Sequence, residues 1–107
     1  MQVLAPIGYP STPSAAELRQ WSVLEVEDDD GSRVRLLAGL LNGSATRVRL
    51  TSQIEQVEGG QALTRSGSIY TLAGPPATAE QALAQASRRD ALLAGRSAQD
   101  VTQEYLA

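Results

Sequence analysis

The chain has 107 residues, 42% of them hydrophobic, and a formal net charge of −3. That suffices for one domain with a modest core, is too apolar for a disordered chain, and argues against a general nucleic-acid binder. There is no cysteine or histidine and every basic residue is arginine, which excludes disulfides, thiolate or imidazole metal sites, thiol nucleophiles and imidazole or lysine bases.

Phenylalanine is absent and tryptophan occurs once, so the core must be built from Leu, Val, Ile and Ala. Met1 to Pro10 lacks a basic segment followed by a long apolar one, so no signal peptide is expected. No apolar run approaches the ~20 residues that span a bilayer. The expectation is a soluble cytoplasmic protein with no membrane contact.

In chain order, Met1 to Ile7 suits a short edge strand ended by Pro6 and Gly8. Ser11-Thr12-Pro13-Ser14 carries a helix-start signature, with Thr12 or Ser14 as cap, and predicts one or two helical turns through Gln20. Trp21 to Asp28 suggests a strand with Leu24 and Val26 on one face and Trp21, Val23 and Glu25 on the other. Asp28 to Gly31 turns the chain. The acids from Glu25 to Asp30 lack calcium-loop spacing, since Leu37 stands where the last acidic ligand belongs, and they read as a solvated tip.

Ser32 to Gly74 is a run of β-type segments cut by glycine-containing turns. Asn42-Gly43 is the strongest hairpin signal, because both residues tolerate positive φ. A three-residue loop including Ser44 would oppose Leu41 to Ala45, Ala38 to Val48 and Leu36 to Leu50, giving one apolar face. Arg33, Arg35, Arg47 and Arg49 then fall on the other face, either as a wet outer surface or as a contact surface for an anionic or protein partner. Beyond it, Glu58-Gly59-Gly60 separates two further segments, with Val57 expected across from Leu63 and Glu55 across from Arg65. A bulge at Gly67 is expected to reset the alternation between Leu63 and Tyr70. Ser66, Gly67 and Ser68 could hold an anion through amides and hydroxyls.

After Gly74-Pro75-Pro76 the composition turns helical. Thr78 is a cap, Gly95 a C-terminal stop, and Ala79, Ala82, Leu83, Ala86 and Leu93 form the apolar stripe. Ser97 to Asp100 repeats the cap pattern and opens a last short helix. Its Val101, Tyr105 and Leu106 must dock on this domain or on a partner.

The expected fold is α+β: a small antiparallel sheet or SH3-like half-open barrel of about five strands (residues 21–74), followed by two C-terminal helices (residues 77–107). No Walker loop, GxGxxG or GxSxG is present, and no cofactor or catalytic residue is assigned. The expected function is a non-catalytic protein-interaction module, such as a small inhibitor or adaptor of the kind that phages and mobile elements carry. The alternatives are a nucleic-acid contact through the arginine face of a small barrel, and an assembly protein forming a homodimer through its Ala-rich helices. The partner surface would comprise Arg33, Arg35, Arg47, Arg49, Val101, Tyr105 and Leu106.

Overall fold

The computed structural model describes residues 14–106. The expected edge strand at Met1 to Ile7 lies outside them. The fold is mostly β: strands β1 (Ser14–Glu27), β2 (Arg33–Leu41), β3 (Val48–Glu58), β4 (Gln61–Thr64) and β5 (Ser68–Ala73) are followed by helix α1 (Ala79–Leu93), strand β6 (Ala98–Asp100) and a single 3-10 turn at Thr102–Tyr105. The sheet is mixed, because β1 runs parallel to β5 and antiparallel to β2 and β6. The α+β fold with two C-terminal helices is therefore corrected to a six-stranded mixed sheet with one helix.

Strand β1 organises the molecule. Leu18 pairs with Leu72 of β5 and with Leu41 of β2, so both edges of β1 are used and β1 to β5 close into a cycle. Beyond the end of β5, the same edge of β1 is taken up by the Ala77 amide at Trp21, the Thr102 hydroxyl and Val101 amide at Val23, and β6 at Leu24 to Val26. The backbone groups that an open edge would leave to water are thus bonded within the chain. This also explains why residues 14–20 are strand and not the expected helix: cross-strand pairing on two sides outweighs a weak local helical preference.

A bulge between Arg19 and Ser22, with Gln20 at φ 48°, resets the alternation of β1. Ala16 and Leu18 before it, and Trp21 and Val23 after it, all pack inward. They meet Leu37, Leu41, Ala62, Tyr70 and Val101 in the main core. The opposite face of the sheet is also covered: Val26, Leu36 and Leu93 of α1 form a second cluster with Val34 and Leu50. Strand β2 is therefore buried on both sides.

The hairpin after β2 corrects the expected register. The loop spans five residues, closed by the Leu41 amide on the Arg47 carbonyl, and Ala38 faces Leu50, Gly39 faces Arg49 and Leu40 faces Val48. Asn42 and Gly43 both have positive φ, and the Ser44 hydroxyl accepts from the Thr46 and Arg47 amides, which lengthens the turn. Compared with the three-residue loop the pairing has slid by two residues, so Ala38, Val48 and Leu50 keep a common face, but an irregularity between Leu36 and Ala38 sets Leu36 across from Gln53 and not Leu50, and Leu41 packs in the main core on the other side.

Further corrections follow the same logic. Val57 pairs with Ala62, not Leu63, because only Gly59 and Gly60 separate the paired Glu58 and Gln61, although Arg65 does reach Glu55, at 3.9 Å. Gly67, at φ 90°, belongs to the turn joining β4 to β5 and is not a bulge within one strand. Thr78 caps α1 as expected, in a capping box with Gln81. The buried side of α1 carries Gln85 and Leu93, whereas Leu83 of the expected stripe is 76% exposed.

At the acidic tip, bonds from the Ser32 hydroxyl and then from the Ser32 amide hold the Asp30 carboxyl below its ordinary 3.8. A carboxylate depressed on folding stabilises the native state fully above its unfolded value, and that contribution is lost as pH falls through the folded value. The wild-type melting temperature is accordingly expected to fall more steeply than that of Asp30→Ala below about pH 4 in paired thermal scans.

Candidate functional site

The inward face of the sheet is not filled at one end. There a hollow of about 320 Å³ is lined by Trp21, Val23, Leu37, Leu72 and Tyr105, with Val57, Gly60 and Leu106 at its margin. Its size lies near the lower limit of small-ligand pockets, roughly 300 to 1,000 Å³. Trp21 is held by its indole N–H, which donates to the Gly74 carbonyl at 3.1 Å. The opposite wall is tied by the Leu72 amide bonding to the Gly60 carbonyl at 2.8 Å. Val57 and Leu106 remain 38% and 41% exposed, so apolar surface runs from the hollow into solvent.

The C-terminal turn forms the third wall. Asp100, just before it, accepts from the Thr102 amide at 2.9 Å, and the Thr102 hydroxyl accepts from the Val23 amide at 2.9 Å. Val101 is buried in the main core and Tyr105 packs against it, so the tail docks on its own domain and only Leu106 of the three predicted tail residues is exposed.

Beside Tyr105 lies an ionic cluster. Arg35 bridges Glu104 at 2.9 Å and Glu25 at 3.2 Å, donates to the Tyr105 hydroxyl at 3.4 Å, and stands 5.7 Å from the centre of the Tyr105 ring. Arg33 reaches the other oxygen of Glu25 at 3.3 Å. The Tyr105 hydroxyl first, then Glu104, and to a lesser degree Glu25, hold the Arg35 guanidinium above its already high ordinary value. Arg35 therefore stays charged at any accessible pH and acts as a clamp between β1, β2 and the tail, not as a proton donor.

The four predicted arginines do share one face, opposite Val34, Leu36, Val48 and Leu50. That face is the one whose middle is Leu37 and Leu41, so it is core and not outer surface, and the arginines occupy only its ends. Arg33 and Arg35 lie at one end, facing Glu27 and Glu25. Arg47 and Arg49 lie at the other, where Arg49 donates to the Tyr70 hydroxyl at 3.4 Å. No continuous basic surface joins the two pairs.

Ser66 and Ser68 flank Gly67 in the turn before β5, but their groups are engaged. The Ser66 amide donates to the Ser52 hydroxyl, Ser52 donates to the Ser66 hydroxyl, and the Ser68 carbonyl accepts from Thr64. These bonds pin the turn to β3 and leave little of it to hold an anion by itself.

Trp21 is expected from the sequence to lie over the core, but its convergence with Val57, Leu72 and Leu106 is not visible there, because it depends on the closure of β1 onto β5. Among the described residues no helix is long and apolar enough to cross a membrane, and no group of three or more Asp or Glu side chains could hold a metal ion. Comparison with family models, with curated proteins and with solved structures finds no match to the chain.

Proposed function

We propose that this chain is a non-catalytic protein-interaction module that receives an apolar side chain of its partner in the hollow at the open end of the sheet. The observation that supports this reading is the hollow itself: Trp21 and Leu37 at its base, and Val57 and Leu106 exposed at its margin. A concave apolar site with an aromatic anchor and a polar surround is the usual form of an interaction hot spot. The cluster of Arg33, Arg35, Glu25 and Glu104 supplies the polar surround on the Tyr105 side and is internally neutralised. It therefore adds orientation more than net attraction. A small inhibitor or adaptor that works by covering a partner's surface fits this arrangement.

The test is affinity capture from the native host with the wild-type chain and with Val57→Glu, a substitution at an exposed strand end that leaves the core untouched. The expected result is a protein enriched by the wild type and lost with Val57→Glu at unchanged circular dichroism. An identical captured set would reject the hollow as the contact.

A further inference from the structure

We propose that a second depression, on the outer face of the sheet, is a binding site for a small phosphate monoester with an apolar body. It has a volume of about 270 Å³, and its lining includes Val34, Leu36, Ser52, Gln53, Arg65 and Arg96. It is separate from the hollow, because Leu36 and Leu37 point to opposite sides of β2, and the proposal stands independently of the interaction reading.

Two arginines from distant parts of the chain line this depression, and both are tethered by hydrogen bonds. The Arg65 amide donates to the Gln53 carbonyl at 2.8 Å and its Nη1 to Gln53 Oε1 at 3.1 Å, while the neighbouring Ser66 amide is held by Ser52. Arg65 meets Glu55 only at 3.9 Å, beyond hydrogen-bond length. In Arg96 the amide and Nε both donate to the Leu93 carbonyl, at 3.1 and 3.0 Å, and Leu93 is buried against Leu36. Its Nη groups make no hydrogen bond or ion pair among the described residues. Two anchored planar forks provide the charge and the donors that a dianionic phosphoryl group needs. Val34 and Leu36 between them offer an apolar floor for the rest of the ligand.

Asp28, which also lines the depression, opposes an anion. Its Oδ1 accepts from the Asp29 amide, a role that asparagine retains, so Asp28→Asn removes the charge alone.

The experiment follows the amide signals of Ser52, Gln53 and Ser66 and the Arg96 Nε–H signal by NMR on titration with phenyl phosphate and with inorganic phosphate at constant ionic strength. Saturable shifts confined to these groups are expected, with phenyl phosphate the tighter ligand. Arg65→Gln and Arg96→Gln should each weaken binding by about tenfold or more, as loss of a charge-assisted bond implies. Asp28→Asn should tighten it, and Arg47→Gln, outside the depression, should leave it unchanged. All four positions are exposed, so unchanged spectra elsewhere confirm the fold. Shifts that never saturate, equal weakening by Arg47→Gln, or no preference for the phenyl ester would overturn the proposal. A phosphotyrosine peptide run alongside should bind no better than phenyl phosphate, and markedly tighter peptide binding would overturn the small-molecule assignment in favour of a protein ligand.

Discussion

Leu37→Ala is expected to destabilise the protein by about 2 to 5 kcal/mol, the range for emptying a well-packed leucine site. For a domain of this size that corresponds to a melting temperature lower by more than about 10 °C. Leu37 is fully buried, in the main core with Leu18, Trp21, Val23 and Tyr70. The result discriminates, because a sheet with a single apolar face would place Leu37 on the outside opposite Arg49, where truncation costs little. The matched control is Leu83→Ala on α1, expected to change stability by no more than about 0.5 kcal/mol. Chemical denaturation of both variants decides the matter. Equal midpoints would mean that the inward face of β2 is misidentified.

Gly39→Ala is the second large effect, and here the sign is informative. Glycine inside a strand normally costs conformational entropy, so replacement by alanine should stabilise by up to about 1 kcal/mol. At Gly39 the added Cβ would lie 3.1 Å from the Arg19 carbonyl oxygen and 3.3 Å from both Leu18 Cβ and Trp21 Cα. Two of these three neighbours are backbone of the β1 bulge, which cannot move without disturbing the closure of the sheet. We expect a loss of about 1 to 3 kcal/mol, typical of overpacking. A gain in stability would show that β1 does not cross β2 this closely.

Both predictions rest on features that were partly legible in the sequence. The turns at Asp28 to Gly31, Asn42-Gly43 and Glu58 to Gly60 and the Thr78 cap are local properties, and the fold keeps them, whereas the four arginines share a face as expected but on the side that carries the main core. The unbroken run from Leu36 to Leu41 carries a different signal: continuous apolarity in a strand implies burial on both faces, whereas alternation implies one. The errors at the two ends share a cause. Ser14 to Gln20 and Ser97 to Asp100 each bear a helix-start pattern, yet each segment lies along β1 or within it, where edge hydrogen bonds are available only to an extended chain. Such pairings join residues far apart in sequence, and local propensity carries no information about them. The hollow was illegible for the same reason, since Trp21, Val57, Leu72 and Leu106 converge only after the cycle of strands is closed. The two arginines of the outer depression, at positions 65 and 96, likewise line one depression only through the packing of α1 on the sheet.

The most direct test of the partner-contact account uses the one tryptophan of the chain. Labelled with 5-fluorotryptophan, the protein gives a single fluorine resonance from Trp21, at the base of the hollow, unaffected by tryptophans in any partner. On titration with the captured partner, that resonance should move or broaden in step with complex formation, and the change should disappear for Val57→Glu. A complex that forms with the Trp21 signal unchanged would place the contact elsewhere on the molecule and contradict the account.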